Sequence, residues 1–226
     1  MRLERRGSSS EGFCAVIRHM ASDLAERLNC PSDVVLEVYG KLGEVPIAPK
    51  GLPSSQSTLV FRDRRLIILV EENWRRRNVR LWRGMLAQAL AEVALKPSLE
   101  VPRNASALEA LAYKVVRMYE VHKFLVDRGV LDAQEEVLQA IIWRLRLLVS
   151  AGVDSLELLS SESRIAILAG VIVAWPYRQH SKEIREVSDA LLSVVRLEEN
   201  EISEPLDAGD TRELYKILLT AAGSQR

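Results

Sequence analysis

The chain reads as a mainly α-helical α+β protein, with helices around one small β-hairpin or sheet followed by a C-terminal helical bundle. Three observations carry this expectation. From Asn104 onward the apolar residues recur at helical spacing between recognisable caps; only Thr58 to Val70 has β-rich composition; and 226 residues, 48% of them hydrophobic, can bury a substantial core.

In chain order, MRLERRGSSS joins charge to a Gly/Ser run and is expected to be disordered over residues 1–10. Phe13, Val16, Ile17, Met20, Leu24 and Leu28 then predict a helix from Glu11 to Leu28. Pro31 suggests the start of a second helix, through Val34, Val35, Leu36, Val38 and Leu42 to a stop at Gly43. Pro46, Pro49, Gly51 and Pro53 make Glu44 to Ser57 a loop. Thr58–Phe61 and Leu66–Val70, separated by Arg62-Asp63-Arg64-Arg65, have the form of a hairpin. A lone hairpin is marginal in water, so it must pack on helices or recruit more strand.

Leu81 to Lys96 is the next helix. Ser106 and Glu109 form a capping-box pattern for a helix that Gly129 stops, and Asp132 with Glu135 repeats the signal for one from Ala133 to about Ser150. Further helices are expected at Val153–Leu159, Ser161–Trp175, Ser181–Glu198 and Thr211–Ala222, with Asn200–Gly209 an acidic connection.

Composition narrows the functional classes. Lysine plus arginine equal aspartate plus glutamate at 31 each, so no global field draws the molecule to nucleic acid or to an anionic membrane. The longest apolar run, about eleven residues from Ile165 to Trp175, is short of the roughly 20 that cross a bilayer, which predicts a buried helix and no membrane partner. An N-terminus without an apolar signal region points to a cytoplasmic protein. The two cysteines, Cys14 and Cys30, lack metal-ligand spacing and read as buried small hydrophobes. Arginine exceeds lysine while asparagine and glutamine are sparse, a bias compatible with a thermophile host. No GxSxG, GxxxxGK[ST] or GxGxxG is present.

The helix LWRGMLAQALAEVALK, placed after a hairpin and before another helix, resembles the motif helix of the zincin metallopeptidases, in particular the small gluzincins called minigluzincins. LAQALAEVAL stands where a sequence of the LAHELAHVAL type is expected. The resemblance covers about residues 32–127. It implies helical segments, a short sheet, a motif helix and a helix with a third ligand, and a cleft that accepts an extended peptide along a sheet edge.

By the same resemblance Gln88 takes the first ligand position, Ala89 that of the general base and Glu92 that of the second ligand. Loss of a general base alone costs about 10²- to 10⁴-fold in rate, so the expectation is a pseudoenzyme with no catalytic residues. Glu92, His122 and Gln88 are the residual metal candidates, His122 lying in the stripe Leu111, Val115, Met118, Tyr119, His122, Leu125. One imidazole, one carboxylate and one amide make a poor zinc site, so no cofactor is expected; the alternative for His122 is a buried, hydrogen-bonded histidine.

The division that follows is a disordered 1–10, a zincin-like domain over 11–128 and a helical bundle over 129–226 packed on it. A second candidate surface is basic. Arg62, Arg64, Arg65, Arg75, Arg76, Arg77, Arg80 and Arg83, interleaved with Trp74 and Trp82, suit phosphate contact and base stacking, although Asp63, Glu71 and Glu72 dilute the patch. The expected function is thus a catalytically inactive zincin-like binding or scaffold protein for a protein or peptide partner. The alternatives are a nucleic-acid-binding helical protein and a weak metal-dependent hydrolase. The apolar helices of residues 141–175 add a candidate surface for oligomer formation.

Overall fold

The structure, a computed structural model, describes residues 1–46, 58–60, 66–100, 104–150, 161–195 and 199–221. The expected helix at Val153–Leu159 and the hairpin arginines Arg62, Arg64 and Arg65 lie outside these. The described residues are mainly helical with one small sheet, as the sequence predicts. They form two compact units: residues 1–96 with 127–137, and residues 97–126 with 138–226. A short later segment, residues 127–137, thus belongs to the first unit.

The first unit contains β1 (Arg2–Arg6), α1 (Glu11–Arg27), β2 (Val35–Tyr39), β3 (Thr58–Val60), β4 (Leu66–Val70), α2 (Glu71–Arg75) and α3 (Val79–Ala94). Its sheet runs β1-β2-β4-β3, with β1, β2 and β4 parallel and β3 antiparallel to β4. Two strands here correct the sequence reading.

Residues 2–6 are not disordered. They pair with β2 in register Arg2↔Val35 to Arg6↔Tyr39, and their charges neutralise one another, Glu4 with Arg2 and Arg6, and Arg6 with Glu37 at 3.0 Å. An edge strand whose side chains meet water needs no apolar pattern, because backbone pairing supplies its order.

Val35–Tyr39 is likewise a strand and not the second helix. Its side chains alternate: Leu36 and Val38 point to one buried face, while Tyr39 joins Val45, Ile68 and Val70 on the other. A parallel strand covered on both faces reads as a near-continuous apolar run, which mimics a helix in sequence.

Helix α1 is the crossover that a parallel β1–β2 pair requires. Phe13, Ile17, Ala21 and Leu24 form its buried stripe, Leu28 is buried just beyond it, and α1 packs against α3. Its N-cap, Ser10, accepts from the Phe13 N–H at 3.2 Å and donates its hydroxyl to Glu71 Oε1 at 2.6 Å. Glu71 is 4% exposed. Burial alone would raise its pKa, but the Ser10 hydroxyl and N–H, together with Arg75, outweigh that and hold it below the ordinary carboxylate value.

A second carboxylate closes the neighbouring loops. Glu44 Oε2 accepts the backbone N–H groups of Ser8, Gly40 and Lys41 at 3.1–3.2 Å. Gly7, at φ +52, passes so close that a Cβ there would lie 2.3 Å from the same oxygen.

In the second unit, α4 (Ala107–Asp127) begins with the expected capping box. Glu109 Oε2 accepts from Ser106 N at 2.7 Å, and Ser106 Oγ accepts from Glu109 N at 3.2 Å. Its buried face is Ala112, Val115, Val116, Tyr119, His122 and Leu125, whereas Leu111 and Met118 of the predicted stripe are exposed. A turn at Asp132–Gln134 precedes α5 (Glu135–Ser150), because Asp132 engages Arg27 at 2.7 Å and does not extend the helix to Ala133.

Helix α6 (Ser161–Ala174) buries Ile165, Leu168, Val171, Ile172 and Ala174, packed by α7 (Lys182–Val195) and α9 (Thr211–Ala221). The expected acidic connection at Asn200–Gly209 is instead α8 (Glu199–Ala208). Ile202 and Leu206, four apart and buried, anchor that helix despite its acidic residues and Pro205. Among the described residues no helix is long and apolar enough to cross a membrane.

Replacing Ser10 with Ala removes both the α1 cap and a donor to buried Glu71. Urea denaturation is expected to show a loss of about 1–2 kcal/mol.

Candidate functional site

The motif helix α3 starts at Asn78, whose side chain accepts from the Arg80 N–H at 2.8 Å. Ala87, Leu90, Ala91 and Val93 are buried, and Gln88 and Glu92, four residues apart, share a half-buried face. Ala89, between them, is buried.

What stands over this helix is a segment of the same chain. The turn Asp132–Gln134 packs on α3, and Gln134 is fully buried. Gln88 Nε2 donates to Gln134 Oε1 at 3.2 Å, and Gln134 Nε2 donates to the Gly84 carbonyl at 3.2 Å. The Gln88 amide thus completes a structural hydrogen-bond relay. Neither amide titrates or accepts a proton usefully, so the relay has no acid–base chemistry of its own.

Gly84 makes the packing feasible: a Cβ there would meet Val137 Cγ2 at 2.5 Å and the Ala133 carbonyl oxygen at 2.7 Å. Salt bridges seat the same segment. Asp132 bonds Arg27 at 2.7 Å and Arg83 at 3.1 Å, Arg83 also bonds Asp23 at 2.8 Å, and Arg27 donates to the Gly129 carbonyl at 2.8 Å. The Arg27 hydrogen bond and both guanidinium charges hold the Asp132 carboxyl below its ordinary pKa.

His122 belongs to the other unit, and it has a partner there. Its Nδ1 lies 2.6 Å from the Tyr177 hydroxyl, in an edge-on ring contact. Both side chains are buried; burial pushes the imidazole down to about 4 and the phenol up, so both are neutral. A phenol must donate its proton to avoid a buried unsatisfied O–H, which makes Nδ1 the acceptor and occupies the lone pair a metal would use. Among the described residues no three His, Cys, Asp or Glu side chains are grouped to hold a metal ion.

The basic patch is also rearranged. Trp74 is fully buried and Trp82 is 8% exposed; with Phe13 they form an edge-on cluster at centroid separations of 5.2–6.3 Å, and the Trp82 indole N–H bonds the Trp74 carbonyl at 2.6 Å. Trp74 is therefore a core residue and offers no stacking platform, a correction the period of its neighbours could not supply. Arg75 pairs with Glu71, Arg76 with Glu72 at 3.1 Å, and Arg77 reaches Met85 Sδ at 3.3 Å, while Arg80 is exposed.

Comparison with family models, with curated proteins and with solved structures gives no match.

Sequence reasoning missed Gln134 and the role of Gly84. The signal for Gly84 was present, since an isolated glycine within a helical pattern marks a close packing partner. Gln134 carried none.

Two outcomes are expected. Gly84→Ala, which in an open helix would stabilise by about 0.5–1 kcal/mol, should here destabilise by about 1–3 kcal/mol in chemical denaturation. His122 is neutral when folded and titrates near 6.5 when unfolded, so its contribution is complete above pH 6.5 and is lost as pH falls toward 4. Stability measured across that window should drop by about 3 kcal/mol more in the native chain than in His122→Leu.

Proposed function

We propose that the protein is a catalytically inactive, zincin-like binding or scaffold module that holds an extended segment of a protein or peptide partner along β3, beside α3. The observation that carries this reading is the pairing of an edge strand with a disarmed motif helix. β3 is the last strand of the sheet among the described residues and packs against α3, on which Gln88 is tied to Gln134 and Ala89 replaces a base.

The order of elements supports the same reading. A helix, a sheet ending in the β3–β4 pair, the motif helix α3 and then α4 follow one another as the resemblance implies. An antiparallel edge strand supplies main-chain donors and acceptors on its outer side, which is the physical basis of strand addition by a peptide. Affinity then comes from the backbone ladder and needs no charged or catalytic group. The buried indoles and the paired Arg75, Arg76 and Arg83 leave the nucleic-acid alternative without a particular observation in its favour.

The test is fluorescence anisotropy of labelled peptides drawn from a diverse extended-peptide library, with a proline scan over Thr58, Leu59 and Val60. Successive residues of a strand direct their N–H groups to opposite sides, so the scan necessarily removes an outward donor. Binding is expected, and it is expected to weaken at least about tenfold, about 1.4 kcal/mol, for the variant that loses that donor. No binding across the library, or binding indifferent to every proline, would falsify the reading. Zinc titration of the wild-type chain by calorimetry should show no stoichiometric site; a tight one would restore the hydrolase alternative.

A further inference from the structure

The apolar run Ile165 to Trp175, expected to be a buried helix, is covered within its own unit. Large exposed apolar side chains are found on α5 instead. Trp143 is 63% exposed and Leu147 46%, while Ile142 and Leu145 on the opposite side of the helix are buried. Glu136, Ala140, Trp143 and Leu147 follow at intervals of four, three and four, and so form one stripe.

Charge along this helix is polarised. Glu135 and Glu136 occupy its first turn, Arg144 and Arg146 its second half, and no acidic residue follows Glu136 within it. A parallel copy would set like charge on like. An antiparallel copy sets the acidic turn of each helix beside the basic half of the other.

We infer that this face of α5 pairs with the same face of a second copy of the chain, antiparallel and about a two-fold axis. Crossing near Ile141 and Ile142 places the small Ala140 opposite the indole of Trp143, and Glu136 opposite Leu147 with Arg144 and Arg146 on either side. The contact is isologous, so each complementary pair occurs twice. Arg146 also pairs with Glu183 within the chain, yet its side chain is 64% exposed and a guanidinium has donors to spare. Glu136 accepts a long hydrogen bond, 3.4 Å, from Asn78. A single helix pair buries less than a standard interface, so association on the order of micromolar is expected.

Sedimentation velocity of the full chain over a range spanning low to high micromolar should show a monomer–dimer equilibrium. Trp143→Glu should abolish it, and because Trp143 faces water in the monomer the circular dichroism should not change. Arg144→Glu should weaken the dimer at least about tenfold, about 1.4 kcal/mol, and the double exchange Glu136→Arg with Arg144→Glu should restore it. A chain that stays monomeric throughout, a dimer that survives Trp143→Glu, or a charge exchange that fails to rescue each overturns the inference.

Discussion

One close approach organises the first unit: the backbone of α3 at Gly84 admits residues 133–137 to a distance that any side chain would block. Once that segment lies down, the remaining contacts follow. Gln134 finds both the Gly84 carbonyl and Gln88, Val130 and Ala133 leave water, and Asp132 reaches Arg27 and Arg83. The polar part of this seat has directional requirements that an apolar contact lacks, so it fixes register as well as position. A buried amide pair is tolerable only when both ends are satisfied, and here they are.

That seat also accounts for the residues that α3 turns toward residues 133–137. The residues on its half-buried face serve the packing of the chain on itself. Ala89 contributes shape and Gln88 a neutral donor, while His122 is neutralised by burial and held by Tyr177 within the second unit. Structural use of all three residues is self-consistent.

Much of the architecture was legible in the chain, and the failures share a physical origin. Long helices with a one-sided apolar stripe, such as α1 and α9, announce themselves because packing on one face imposes a 3.6-residue period. Ser106 and Glu109 likewise mark a start by chemistry that is purely local. β1 and β2 could not be read this way: one is an edge whose order comes from pairing with residues some thirty positions away, and the other is covered on both faces and loses its alternation. The same limit applied to the candidate site. The lack of a titratable group at Ala89 was visible at once, whereas the burial of Trp74 and the arrival of Gln134 depend on contacts formed across long stretches of sequence.

The first unit is not continuous along the chain: residues 127–137 rejoin it after thirty residues that belong elsewhere. Domains commonly fold in order as they emerge from the ribosome. Here the N-terminal sheet and α1 can form early, but α3 cannot acquire its cover until residue 137 has been made, by which time all of α4 has already been synthesised. Synthesis of the two units is therefore interleaved, and a chain cut off between residues 97 and 126 would possess all of α3 and none of the residues that cover its Gln88 face.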